Sequence, residues 1–154
     1  MMTERLYIVL LALLVGAQAA VGYLVAPTLF ELINDRSYAG TIAGVIFERM
    51  GWLSLAGLML LFGLRWRLDK TGMPPPKWDA VIILSMLGFT ALGHFLIRPW
   101  IVNIRRSIQQ AGGFEMCDRA MRNQFGLLHG ASSVLFLMVF ILGLSLILRL
   151  RAKP

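Results

Sequence analysis

The chain has little of what enzymes and soluble domains are usually built from. It holds a single cysteine, Cys117, in 154 residues, so no intrachain disulfide and no paired-cysteine motif can form. Acidic residues number eight and histidines two, which leaves few groups for acid–base work. A phosphate-cradling glycine loop, a G-x-S-x-G elbow and an HExxH helix are all missing, and this argues against the common enzyme classes. Charged residues make up only 15% and hydrophobic residues 58%, a balance that excludes an ordinary soluble domain.

What the chain does have is four long apolar runs: Leu6 to Phe30, Gly40 to Leu64, Val81 to Ile97 and Phe125 to Leu148. A bilayer core is crossed by about 20 apolar residues in a helix. Every backbone polar group must be paired inside that core, so each run is expected to be an α-helix. The reading is an all-α integral membrane protein, a single four-helix bundle over residues 1–154, with spans at about 6–30, 40–64, 80–98 and 125–148. Four spans leave no room for a soluble catalytic domain, and no enzymatic activity is expected. No internal repeat is convincing in the sequence. Met1 to Arg5 and Ala17-Gln18-Ala19 resemble a signal peptide with an A-x-A cleavage site. Glu4 weakens the positive start and the apolar run continues to Phe30, so the first span is expected to be retained.

The net charge of +7 could suggest nucleic acid. Its basic residues sit at the ends of the apolar runs, however, where lipid headgroups would be, so the bilayer is the expected partner. With four spans both termini share a side. The tight clusters Arg65-Trp66-Arg67 and Arg149 to Lys153 mark that side as cytoplasmic, which places the chain in a bacterial inner membrane with both ends inside. The second connection carries Pro74-Pro75-Pro76, a stiff spacer. Pro27 should kink or end the first span, and Pro99 should end or kink the third at Arg98. Beyond Pro99, Ile101, Ile104 and Ile108 recur at helical spacing among Arg105 and Arg106. This forms an amphipathic connection suited to a membrane surface, which Gly112-Gly113 breaks. Glu115 to Gln124 is expected to lead helically into the fourth span.

Small residues allow close helix packing where lipid offers no hydrophobic drive. Gly16 and Ala20 on the first span, Gly40, Gly44 and Gly51 on the second, and Gly126, Gly130 and Ser133 on the fourth are expected to mark the inward faces. On the second seam lies Glu48, about 10 Å inside the span edge at 1.5 Å per residue. A carboxylate at such depth should be paired, protonated or hydrated, and its neighbour Arg49 could snorkel outward. His94 lies four residues before Arg98, and His129 four after Phe125. Glu48, His94 and His129 thus share one layer in the outer half of the membrane.

That layer could bind haem or a metal ion through its imidazoles, relay protons, or serve as a hydrogen-bond network that locks the bundle, with His129 tied to Ser132 or Ser133. Cys117 and Met121 could offer soft ligands to Cu(I) if they share a helical face. Arg98, Arg105, Arg106, Arg119 and Arg122 could attract anionic headgroups or solutes, or pair with Glu31, Asp35, Glu115 and Asp118.

The segment Phe125-Gly126-Leu127-Leu128-His129-Gly130-Ala131-Ser132-Ser133 resembles the F-x-x-x-H-G-x-S-S signature of the transmembrane-protein-205-like family. Ala26-Pro27-Thr28-Leu29-Phe30 and Arg98-Pro99 are similar to further segments of that family. The resemblance implies a four-helix membrane domain with no established biochemistry, and it carries His129, Ser132 and Ser133 as family positions. Many members place an asparagine seven residues after the histidine, where this chain has Phe136. The expected function is passage or sensing of a small solute or ion at a polar site of Glu48, His94, Arg98, His129, Ser132 and Ser133. The alternatives are an accessory subunit of a larger membrane complex, and a haem- or metal-binding redox protein using His94, His129, Cys117 or Met121. No cofactor is required by any motif, and a homodimer is permitted by the small-residue faces.

Overall fold

A computed structural model describes residues 2–70 and 76–151. Pro74 and Pro75 of the expected spacer and Lys153 of the terminal basic cluster lie outside the described residues. Four helices follow one another: α1 (Met2–Leu32), α2 (Arg36–Lys70), α3 (Lys77–Gln110) and α4 (Arg119–Arg151). All four are long and apolar enough to cross a membrane. Each helix packs on its chain neighbours, and α4 closes the bundle against α1. The short connections 33–35 and 111–118 share one end of the bundle, here called the loop end. The start of α1, the end of α2, the start of α3 and the end of α4 share the other, the terminal end.

Every expected span lies inside a longer helix. The ends are set by side chains that satisfy orphan backbone groups. Asp35 Oδ1 accepts the N–H groups of Ser37 and Tyr38 at 2.8 and 3.1 Å, and Asp118 Oδ1 accepts that of Met121 at 2.7 Å. Both carboxylates therefore cap helix starts. Replacing Asp118 with alanine should lower thermal stability by about 1 kcal/mol, the usual loss at an N-cap, read from unfolding in detergent. At the far end of α3, Gly112 and Gly113 adopt φ of 92° and 103°. Gly113 N–H reaches back to the Ile108 carbonyl, so these glycines stop the helix as their sequence suggests. Helix resumes only at Arg119. The stretch from Glu115 to Asp118 is turn rather than a helical lead.

The two prolines do not end their helices. Arg98 keeps α-helical angles, φ −59° and ψ −45°, and the amphipathic stretch Arg98–Gln110 continues α3 without a break. The disturbance is absorbed upstream by one wide turn in each case. Ala20–Val25 and Leu92–Ile97 are π-helical. Ala26 N–H bonds the Val21 carbonyl and Arg98 N–H bonds the Gly93 carbonyl, each five residues back. The extra residue per turn makes room for a proline ring that would strike the carbonyl four residues before it. Each wide turn starts seven residues before its proline, so α1 and α3 carry the same backbone device although their sequences show no clear repeat.

Large buried side chains gather toward the terminal end: Tyr7, Leu11, Leu14 and Val15 of α1, Leu58, Leu61 and Leu68 of α2, Ile83 and Met86 of α3, and Val139 and Leu146 of α4. Close approach there depends on Gly57, whose Cβ would lie 2.5 Å from Leu14, and Gly143, whose Cβ would lie 2.6 Å from Val15. The expected inward seams are only partly so. Gly40 is buried, and Gly44 and Gly51 face α3. Gly16, Gly126 and Gly130 have no atom within 4 Å of a built Cβ and face outward. The helices meet instead where a Cβ would collide, at Gly22, Gly51, Gly57 and Gly143.

Candidate functional site

At the loop end, α2 and α3 run antiparallel and lay their polar residues against each other as a ladder. On α2 the rungs are Gly40, Gly44, Glu48 and Gly51, spaced four, four and three, which is one helix face. On α3 they are Arg105, Arg98 and His94, spaced seven and four, again one face. Arg105 Nη1 donates to the Gly40 carbonyl at 2.6 Å, and a Cβ on Gly44 would stand 3.2 Å from the same nitrogen. Arg98 Nη2 meets Glu48 Oε2 at 2.6 Å, both side chains about one-third exposed. The His94 imidazole fills the notch left by Gly51, where any Cβ would strike Nδ1. The Arg105 guanidinium and the His94 imidazole occupy the space that these glycines leave open.

Aromatic rings fix His94 on its remaining sides. Trp52 meets it edge-on at 4.6 Å between centroids and Phe95 at 5.0 Å. Glu48, His94 and Arg98 are thus brought together between two helices, as their layer suggests. Arg49 is exposed.

His129, Ser132 and Ser133 do not join them. His129 is exposed on α4 and stacks on Phe125 at 5.9 Å with 5° between the rings. The Ser133 hydroxyl donates to the His129 backbone carbonyl at 3.0 Å, and Ser132 is half-buried. His129 faces outward together with Gly126 and Gly130, which were expected to mark an inward seam. Phe136, where many transmembrane-protein-205-like members have asparagine, packs edge-on against Phe47 at 5.3 Å and fills the notch at Gly22.

Arg105 is the residue that the spacing hid. It stands eleven residues from His94, three full turns along the same face. Half-buried, it bonds α2 through Gly40 and lies over the Phe125 ring of α4 at 5.5 Å, within reach of a cation–π attraction. Through Phe125 it is also linked to the His129 stack.

Cys117 precedes α4, so it does not share a helix face with Met121. It is buried, with its thiol toward the Phe114 carbonyl at 3.4 Å. Among the described residues, no group of three or more His, Cys, Asp or Glu side chains is placed to hold a metal ion.

A second polar cluster sits at the terminal end. Tyr7 of α1, Arg65 of α2 and Asp79 of α3 are 2%, 9% and 3% exposed. Arg65 Nη2 donates to the Pro76 carbonyl at 3.2 Å, and both charged groups act electrostatically on the Tyr7 hydroxyl. Asp79 also lies in the first turn of α3, where the helix dipole favours an anion. Arg65 reads in the sequence as one of a surface pair with Arg67. Its burial follows from facing the same stripe as Leu58 and Leu61. Between the two polar regions lies the apolar core. On α1 it separates Tyr7 from the buried Gln18 by eleven residues, about 16 Å of helix.

Comparison with known proteins yields one family. No curated protein and no solved structure matches the chain. The model of a domain of unknown function, DUF4149, matches residues 9–110. The match takes in most of α1, all of α2 and all of α3, and so contains both faces of the Glu48–Arg98 ladder. It stops before α4 and the Phe125–Ser133 segment. Covering about two thirds of the sequence, it shows that this multi-pass membrane chain belongs to the DUF4149 family.

Proposed function

We propose that the protein acts without covalent chemistry and senses a small solute or ion at the α2–α3 ladder, in a bacterial inner membrane with the loop end outward. One observation carries this reading: the Glu48–Arg98 ion pair joins two helices at the loop end and is one-third exposed. A proton or small anion arriving there competes directly with that pair. Sensing is favoured over passage because close-packed leucines and Met86 separate the ladder from the Tyr7 cluster. The resemblance of Phe125–Ser133 to the transmembrane-protein-205-like family fits a non-catalytic role and adds no ligand.

Trp52 is a built-in reporter, since it contacts His94 one turn from Glu48. In a protein with Trp66, Trp78 and Trp100 changed to phenylalanine, Trp52 emission should change saturably with pH or with added sodium chloride or phosphate. The Glu48→Gln variant should lose that response. Emission unchanged across the whole series in the unmodified ladder would remove the sensing reading.

A second reading has its own observation. Gly126 and Gly130 form a bare face on α4 that also presents His129 and Ser133. That face suits an accessory subunit docked in a larger membrane complex. Stable co-purification with one partner, lost in Gly130→Leu, is the outcome expected if this role holds.

A further inference from the structure

An open groove of about 400 Å³ lies at the loop end, between the last turns of α3 and the start of α4. It is lined by Trp100, Asn103, Ile104 and Ser107 of α3 and by Gln124 of α4. We propose that this groove binds a neutral, hydroxyl-bearing headgroup of the saccharide type. The reading goes beyond the ladder and shares no residue with it.

The lining decides the charge of the ligand. Seven arginines stand toward the loop end, at positions 36, 49, 98, 105, 106, 119 and 122, yet none lines the groove. An anionic headgroup would find its counter-charges elsewhere. The polar groups that are present are two amides and a hydroxyl. Each of these can both donate and accept, which matches a ligand whose own hydroxyls do the same. Ser107 already donates its proton to the Asn103 carbonyl at 3.3 Å, so its oxygen remains as an acceptor toward the groove. Trp100 is 57% exposed and offers a flat apolar face with an N–H at its edge, suited to the C–H face of a sugar ring. Tryptophan also favours headgroup depth at a membrane interface. Ile104 supplies an apolar floor. The spacing 100, 103, 104 and 107 gathers these α3 residues on one face, turned away from Arg98 and Arg105.

The test uses Trp100 as the only tryptophan, with Trp52, Trp66 and Trp78 changed to phenylalanine. The protein is purified in a detergent without a sugar headgroup and placed in bilayer discs. Disc compositions are phosphatidylcholine alone, phosphatidylcholine with glucosyl diacylglycerol, and phosphatidylcholine with phosphatidylserine. A fourth sample adds soluble methyl glucoside to the phosphatidylcholine discs.

The expected result is a saturable Trp100 emission change with glucosyl diacylglycerol. Its midpoint should weaken about tenfold or more in Asn103→Leu and in Gln124→Leu, since each leaves ligand hydroxyls unpaired. A response to methyl glucoside as well identifies a site open to free saccharide; a response to the lipid alone identifies a headgroup site. The proposal is overturned by no response to either sugar, by an equal response to phosphatidylserine, or by a response that survives both leucine variants. The two variants lie on different helices and on exposed positions, and unchanged helix content in each keeps the comparison valid.

Discussion

Replacing Glu48 with leucine should lower the unfolding free energy by about 1–2 kcal/mol, between the loss at a surface ion pair and that at a buried one. The value lies between them because both partners keep about one-third exposure, and water at the loop end can still reach the orphaned guanidinium. The loss comes from Arg98, left without its carboxylate between two helices, more than from the missing attraction. For the same reason the double variant Glu48→Leu/Arg98→Leu should recover most of the stability, since two apolar side chains of similar volume need no partner. Arg49→Leu, one residue away and exposed, should stay within about 0.5 kcal/mol of the parent. Denaturation of the parent, Glu48→Leu, Arg98→Leu and the double variant in one detergent gives the cycle directly. A Glu48→Leu protein as stable as the parent would show that the ladder is held by its glycines and aromatic rings and that the ion pair adds nothing.

The membrane character and the helix count were legible because they rest on length and hydropathy, which need no partner to be read. That Glu48 and His94 lie level on α2 and α3 was legible for the same reason, since distance along a helix is a matter of counting. Rotation about the helix axis was harder. The inward seam on α2 was read correctly because Gly40, Gly44 and Gly51 share a face with a lone carboxylate, and two independent signals agreed. On α4 the seam carried no such second signal, and Gly126, Gly130 and His129 face outward. The prolines left two outcomes open, a kink or an end, and the helices do not end. A proline removes one backbone donor, and nothing local says whether the chain ends its helix or inserts a residue upstream. Here it inserted one, in both α1 and α3, and the ordinary α-helical turns beyond Arg98 carry Arg105 on the same face. The Tyr7, Arg65 and Asp79 cluster was invisible because its members are scattered over three helices, and Arg65 sits in a basic pair that reads as surface.

The sharpest contrast in the fold lies among its glycines. Gly57→Leu and Gly143→Leu should each destabilise the protein by about 3 kcal/mol or prevent its assembly, the upper range of overpacking in a well-filled core. A Cβ at position 57 would already lie 2.5 Å from a Leu14 methyl, and one at 143 would lie 2.6 Å from Val15 and 3.2 Å from Met86. Those neighbours are themselves buried, Leu14 and Val15 at 6% and Met86 at 1%, so they have nowhere to retreat and the helices must part. Gly126→Leu and Gly130→Leu place their Cβ where no atom lies within 4 Å. They remove a poor helix former, worth up to about 1 kcal/mol in propensity, and should leave the isolated protein as stable as before or slightly more so. Thermal unfolding in detergent distinguishes the two pairs. In the native membrane the order can change for Gly130→Leu alone, because a partner seated on α4 would meet the new side chain. Loss of a co-purifying protein without loss of monomer stability would then assign the outward face of α4 to assembly, separately from the ladder between α2 and α3.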